Sequence, residues 1–317
     1  MITLGWLYPL VGLLFAAVAL RSALDRANVK RLGNAAFWGL MAVSLLAGDA
    51  IGDFANGLIV LALAGLAGFG QVGRGAPATT NETARVAWSE RLGNRLFVPA
   101  LIIPLIALIG TLAYNYTPLG AAGWIEPKRE TYVFLVLGVL LALAAIFAWL
   151  RPPALAPVED GRRLLDAIGW AAVLPQMLAA LGAVFAIAGV GDAVGAIART
   201  AIPEGSVVLT VAVFALGMAA FTMVMGNAFA AFPVMAAAIG VPLLIDDYGG
   251  DPAVIGAVGM LAGFCGTLMT PMAANFNLVP AALLELKDPY AVIKAQVPTA
   301  LVLLAANVAI LAVAGFR

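Results

Sequence analysis

Apolar runs of about 15 to 25 residues alternate along the chain with shorter polar stretches, and about 20 apolar residues is what a helix needs to cross a bilayer. The pattern predicts uninterrupted helices over 2–20, 96–113, 132–150, 170–189 and 295–315. Three further elements are apolar but broken. One covers 35–70 and is interrupted by GDAIGDFAN at 48–56; one starts at 206, breaks at Gly226 and Asn227 and ends at IDDYGGD; the last, 253–284, carries GFCGTLMTPMAANFN at 263–277. So many runs exceed one signal peptide, and the short strict alternation of a membrane barrel is missing. The expected fold is an all-α polytopic membrane protein whose helices satisfy their own backbone.

Charge between the runs orients them. Arg21, Arg26, Lys30 and Arg31 follow the first helix, and Arg74, Arg85, Arg91 and Arg95 follow the first broken element. The positive-inside rule places both loops in the cytoplasm and the N-terminus outside. The proline-rich RPPALAPVEDGRR separates a first half, 1–150, from a second, 170–317, and residues 151–169 read as a cytoplasmic linker. In the second half the loop 190–205 has Arg199 as its one basic residue and IDDYGGD has none, so both read as external, whereas Lys287 and Lys294 read as cytoplasmic. The arms of the first broken element, about 14 residues each, reach about 21 Å, short of a hydrocarbon core of about 30 Å. A re-entrant hairpin fits that length; two full spans fit if the helices run on through Asp49 and Asp53.

Each half then offers a hairpin-like element broken at Gly-Asp or Gly-Asn, followed by a helix carrying Gly-Thr-Leu: GDA at 48 with GTL at 110, and GNA at 226 with GTL at 266. The first half keeps the two further apart by about the length of its polar loop 71–95. The first hairpin enters from the cytoplasm and the second from outside, which is the pattern of two inverted-topology repeats in secondary transporters.

Composition removes other classes. Lys plus Arg and Asp plus Glu are 17 each, so no basic face exists for nucleic acid. No histidine and one cysteine leave no His-ligated metal, thiolate cluster or histidine base, and no metal site is expected. An intramembrane aspartyl hydrolase needs carboxylates on two helices sharing a proton, which Asp49 and Asp53 on one element do not supply, and no GxxxxGK[ST] loop is present. The expectation is a non-enzyme without an organic cofactor. A transporter or its subunit is the first reading; a noncatalytic subunit that scaffolds a partner is the second.

Candidate residues come from polarity at membrane depth. Pro271 removes a backbone donor and frees carbonyls near Thr267, and such a break persists only if buried in protein or lining a wet cavity. Gly226, Asn227, Thr267, Thr270, Asn275 and Asn277 are therefore the candidate substrate-binding set; alternatively the Thr and Asn side chains repair a kink and join helices. No apolar span carries a central Lys or Arg, so an anion would have to be met by helix N-termini. Asp49 and Asp53, with Asn56 alongside, are the candidates for coupling to Na+ or protons, or else a solvated pair at an external turn.

At GNAAFWGLMAVSLLAGD (33–49), MGNAFAAFPVMAAAIGVP (225–242) and GFCGTLMTPMAANFN (263–277) the sequence resembles a bacterial membrane-protein family long listed as a domain of unknown function, whose members are described as one of two subunits of a 5-oxoproline (pyroglutamate) transporter. The resemblance covers the whole chain. It implies a place in the bacterial cytoplasmic membrane, a small carboxylate as substrate, and a companion membrane subunit of a different family, with self-association left open. The paired broken elements also look like those of the ion transporter superfamily, which moves carboxylates by an elevator motion; the likeness is one of fold.

Overall fold

The computed structural model describes residues 1–316 except 76, 78 and 204; at 4, 82, 122, 175, 179, 186 and 201 it describes the backbone alone. The described residues are helical throughout, with one isolated bridge between Ile2 and Ile125 in place of any sheet. Eight helical stretches among them are long and apolar enough to cross a membrane, and the chain is a multi-pass all-helical membrane protein. It divides into two compact units, Met1–Asp166 and Ala167–Arg317.

In the first unit α1 (Leu4–Leu24) packs along α2 (Arg31–Gly68). At Gly52 in α2, φ is 77° and ψ 172°, a conformation open to glycine at little cost. The chain reverses there, and two contacts establish the hairpin: Asn56 lies against Gly48, and Asn34 is hydrogen-bonded to Gly73. The first arm, 31–51, is longer than the sequence expectation, about 32 Å at the helical rise, because the helix runs on through Asp49 to the break. The shortness on which the re-entrant reading leaned therefore does not hold for that arm. α3 (Glu82–Leu92) follows within the loop expected to be merely polar, and α4 (Phe97–Tyr116) packs along α5 (Glu130–Leu150). Gly110, the first residue of the first GTL, faces the Phe134 ring. The opposite ends of α1 and α5 meet the chain in two different ways. Ile2 exchanges backbone hydrogen bonds with Trp124 and Glu126 (2.6 and 3.0 Å), beside an aromatic cluster of Tyr114, Trp124 and Phe134.

The other end is polar. The expected linker instead forms α6 (Ala156–Ile168), whose Glu159, Arg162 and Asp166 share one buried face. Arg162 donates to the Arg21 carbonyl (2.7 Å) and to Asp25 (2.9 Å), and Glu159 pairs with Arg21. Asp166 accepts from Asn34 (3.1 Å), the Trp38 indole (3.2 Å) and the Gly75 amide (3.3 Å). Trp38, fully buried, stacks on Phe15. Asn34 also pairs with both backbone groups of Gly73 (2.6 and 2.9 Å), so one amide side chain joins the hairpin's two ends to α6.

The second unit begins with α7 (Leu174–Ile187) and α8 (Val190–Ala201), a helix where a loop was expected. α9 (Val207–Met225) and α10 (Ala228–Met235) form a second hairpin, and α10 continues as a π-helix over Ala236–Asp247 with Pro242 inside it. Met235 meets Gly217 and Gly240 meets Phe214 across the arms. α11 (Pro252–Leu268), capped by Asp251 at its start, packs on α9 and on α13 (Ala291–Ala314), with the short α12 (Leu278–Leu283) between them. Phe214, Met218, Leu244 and Ala262 centre the core these helices share.

Asn34→Ala strands buried groups on Gly73 and Asp166 and is expected to cost about 1–3 kcal/mol, read as a lower unfolding midpoint in detergent. Val29→Ala, at a turn residue that is 99% exposed, should leave the midpoint within error.

Candidate functional site

A helix that ends inside a membrane leaves four amides or four carbonyls unbonded at the break, and no water is at hand to bond them. The candidate residues lie at three helix ends. In the first unit the break is Gly52. Asn56, one turn beyond it, donates to the carbonyls of Gly48 (2.9 Å) and Gly52 (3.0 Å) and accepts from the Ser44 hydroxyl (2.9 Å). Asn56 thus ties one arm to the other. Asp49 and Asp53 flank the reversal with exposed side chains and make no hydrogen bond or ion pair among the described residues. The structure therefore groups these three at one tip, with the carboxylates outward and Asn56 inward.

In the second unit α9 ends at Gly226, whose φ of 69° turns the chain. A Cβ there would lie 2.6 Å from the Met272 carbonyl oxygen and 2.7 Å from the Leu178 side chain. Asn227 follows as the N-cap of α10, its Oδ1 accepting from the Phe229 amide at 2.8 Å. The third end is that of α11, which stops at Leu268; residues 269–277 are turns before α12 begins. Pro271 lies in that stretch, as its lack of an amide requires.

These two features are packed together. Thr270 donates its hydroxyl to the Met223 carbonyl (2.7 Å) in the last turn of α9 and accepts from the Met272 amide (3.2 Å). Asn277, fully buried, donates to the carbonyls of Thr267 (2.9 Å) and Thr270 (2.6 Å). The Thr267 hydroxyl bonds back to the Gly263 carbonyl one turn earlier, at 3.4 Å. Gly266, in the second GTL, sits against the Ala219 backbone of α9. Thus Gly226, Thr267, Thr270 and Asn277 converge, and Thr270 and Asn277 spend their side-chain donors on carbonyls at the broken ends. Two buried acceptors at this junction, Asn277 Oδ1 and Thr222 Oγ1, have no partner among the described residues. Asn275 is exposed and is not drawn into the group.

The tip has a second, open side. A cavity of about 560 Å³ runs along the first turns of α10 where α7 gives way to α8. Asn227 lines it together with Asp192, a residue the sequence reading passed over within an external loop. The only hint available was an acidic residue following a Gly-Val-Gly turn. Gly191 approaches the Val234 carbonyl and Gly195 the Ala238 carbonyl, so α8 lies close along the second arm and closes one wall. Among the described residues no group of three or more metal-ligating side chains occurs.

Asn277→Ala strands two buried carbonyls and should cost about 1–3 kcal/mol for each, whereas Asn275→Ala should stay within about 0.5 kcal/mol; thermal unfolding of the two purified variants separates them. Neither a curated protein nor a solved structure matches the chain. A family model described as a protein of unknown function (DUF979) matches residues 5–316, and over nearly its whole length the chain belongs to that family.

Proposed function

We propose that the chain is a secondary active transporter, or the membrane subunit of one, for a small carboxylate, and that the carboxylate is 5-oxoproline. The observation that carries the reading is the pair of helical hairpins, one in each unit, that reverse at a glycine of positive φ, at Gly52 between Asp49 and Asp53 and at Gly226 within apolar sequence. Irregular backbone is tolerated at membrane depth where it is buried in protein or lines a cavity, and discontinuous helices are the recurrent way in which transporters present backbone groups to a solute or ion. In the second unit the break has both: a packed side against 269–277 and an open side on the cavity.

Element order supports an internal repeat, since each unit has a hairpin followed by a helix carrying Gly-Thr-Leu. The packing is less alike: α11 lies on both its hairpin and α13, while α4 lies chiefly on α5. In this reading a solute carboxylate is met at the start of α10, where the amides of Ala228 and Ala230 have no partner within the helix. Asp49 and Asp53 carry the coupling to Na+ or protons at the other tip. A bacterial cytoplasmic membrane and a second, different subunit belong to the same proposal.

Uptake of labelled 5-oxoproline into proteoliposomes, under imposed Na+ and proton gradients separately and with or without the companion subunit, tests it. Gradient-dependent accumulation several-fold above protein-free liposomes is expected, and Asp49→Asn should alter which gradient drives it. No accumulation under either gradient, with or without the companion, would leave the scaffold reading in its place.

A further inference from the structure

We infer that Asp192 is a specificity-determining residue of the cavity beside the second hairpin tip, where it recognises an N–H group of a small solute whose oxygen acceptor is held by Asn227. The inference rests on the transporter reading for the place of the site and adds the chemistry that selects the solute. At about 560 Å³ the cavity is within the range of about 300–1,000 Å³ typical of small-molecule sites. Its walls are otherwise apolar or glycine, with Ala183, Phe229, Pro233 and Val234 among them, and Asn227 and Asp192 are the two side chains in its lining that can hydrogen-bond.

Those two have opposite capacities. Asn227 uses its oxygen to cap α10, which leaves the Nδ2 hydrogens as donors without an acceptor among the described residues. Asp192 is acceptor-only when ionised. It lies in the first turn of α8, where the positive end of the helix dipole favours the carboxylate, and no Lys or Arg pairs with it among the described residues. Its side chain is exposed while it lines the cavity, so its acceptor oxygens are open to a solute there. One pole thus donates and the other accepts, so the fitting solute carries an amide or ammonium N–H together with a carboxylate or carbonyl. A plain dicarboxylate would bring a second negative group against Asp192 and should be discriminated against.

The test uses direct binding to the purified full chain, by ligand-induced thermal stabilisation over a concentration series, so that it does not depend on transport. The probes are 5-oxoproline, the lactone of the same ring in which oxygen replaces N–H, and succinate. Wild type should bind the lactam at least about tenfold more tightly than the lactone, since an acceptor left facing the ring oxygen loses its hydrogen bond. In Asp192→Ala that ratio should fall to within about twofold and succinate should gain affinity. Asn227→Asp keeps the capping oxygen but removes the donor, and should weaken lactam and lactone alike. An equal affinity of wild type for lactam and lactone, an unchanged ratio in Asp192→Ala, or no stabilisation by any probe would overturn the inference. Uptake by wild type without N–H discrimination removes this inference and leaves the transporter reading standing; discrimination in binding with no uptake does the reverse.

Discussion

Much of the polar structure of this membrane protein answers to one constraint: a broken helix must find partners for the backbone groups the break releases where water is scarce. An unbonded buried backbone group costs about 1–3 kcal/mol, and each break releases several. The chain meets the demand with asparagine and threonine placed within a turn or two of the break. Asn56 serves the carbonyls of Gly48 and Gly52, and Asn277 those of Thr267 and Thr270, while Thr270 reaches over to the end of α9. These side chains do what solvent does at the end of a helix in water, and they tie the broken segment to its neighbour at the same time.

The same economy organises the polar end of the first unit. α6 carries three of its five charged residues inward, an arrangement opposite to that of a soluble surface helix, and each finds partners: Arg162 with Asp25 and the Arg21 carbonyl, Glu159 with Arg21, Asp166 with three neutral donors. Asn34 closes the hairpin mouth onto Gly73 within that network. A buried charge cluster of this kind adds little net stability over apolar packing but fixes one geometry strongly, because breaking any one pair leaves a buried charge unmatched. The hairpin is therefore held at its mouth by Asn34 and the Asp166 carboxylate and at its tip by Asn56.

Much of this was legible in the sequence because the breaks are chemical: Gly-Asp-Ala-Ile-Gly-Asp, Gly-Asn-Ala and Thr-Pro-Met-Ala-Ala-Asn each interrupt runs of residues that otherwise favour a helix, and all three interruptions lie where the pattern puts them. Helix length was less legible. Asp49 does not end the first arm, since one carboxylate at an exposed position does not stop a helix, and Gly52 does because only its dihedral turns the chain. α6 and α8 were hidden by proline and glycine content that reads as linker or loop; their periodicity involves pairing with other elements, α6 through buried charges and α8 through Gly191 and Gly195 against the second arm. The π-helix over Ala236–Asp247 left no signal beyond Pro242. Asp192 was missed for a related reason, because its significance comes from the cavity it lines and not from its neighbours in sequence.

The polar residues at the breaks also divide by what they offer. A broken helix exposes carbonyls at the end that stops and amides at the end that starts. The stopped ends, at Gly48 and Gly52 and at Thr267 and Thr270, are met by asparagine NH2 groups and are largely closed to a ligand. The started end, at α10, is met only in part, since Asn227 caps Phe229 with its oxygen alone, and Asn227, Phe229 and Ala230 line the cavity. In the transporter reading a solute rich in oxygen acceptors finds its complement there. Thr270 and Asn277, two of the candidate substrate-binding residues, thus help to hold the tip in shape, and in the transporter reading the ligand-facing chemistry falls to Asn227 and Asp192.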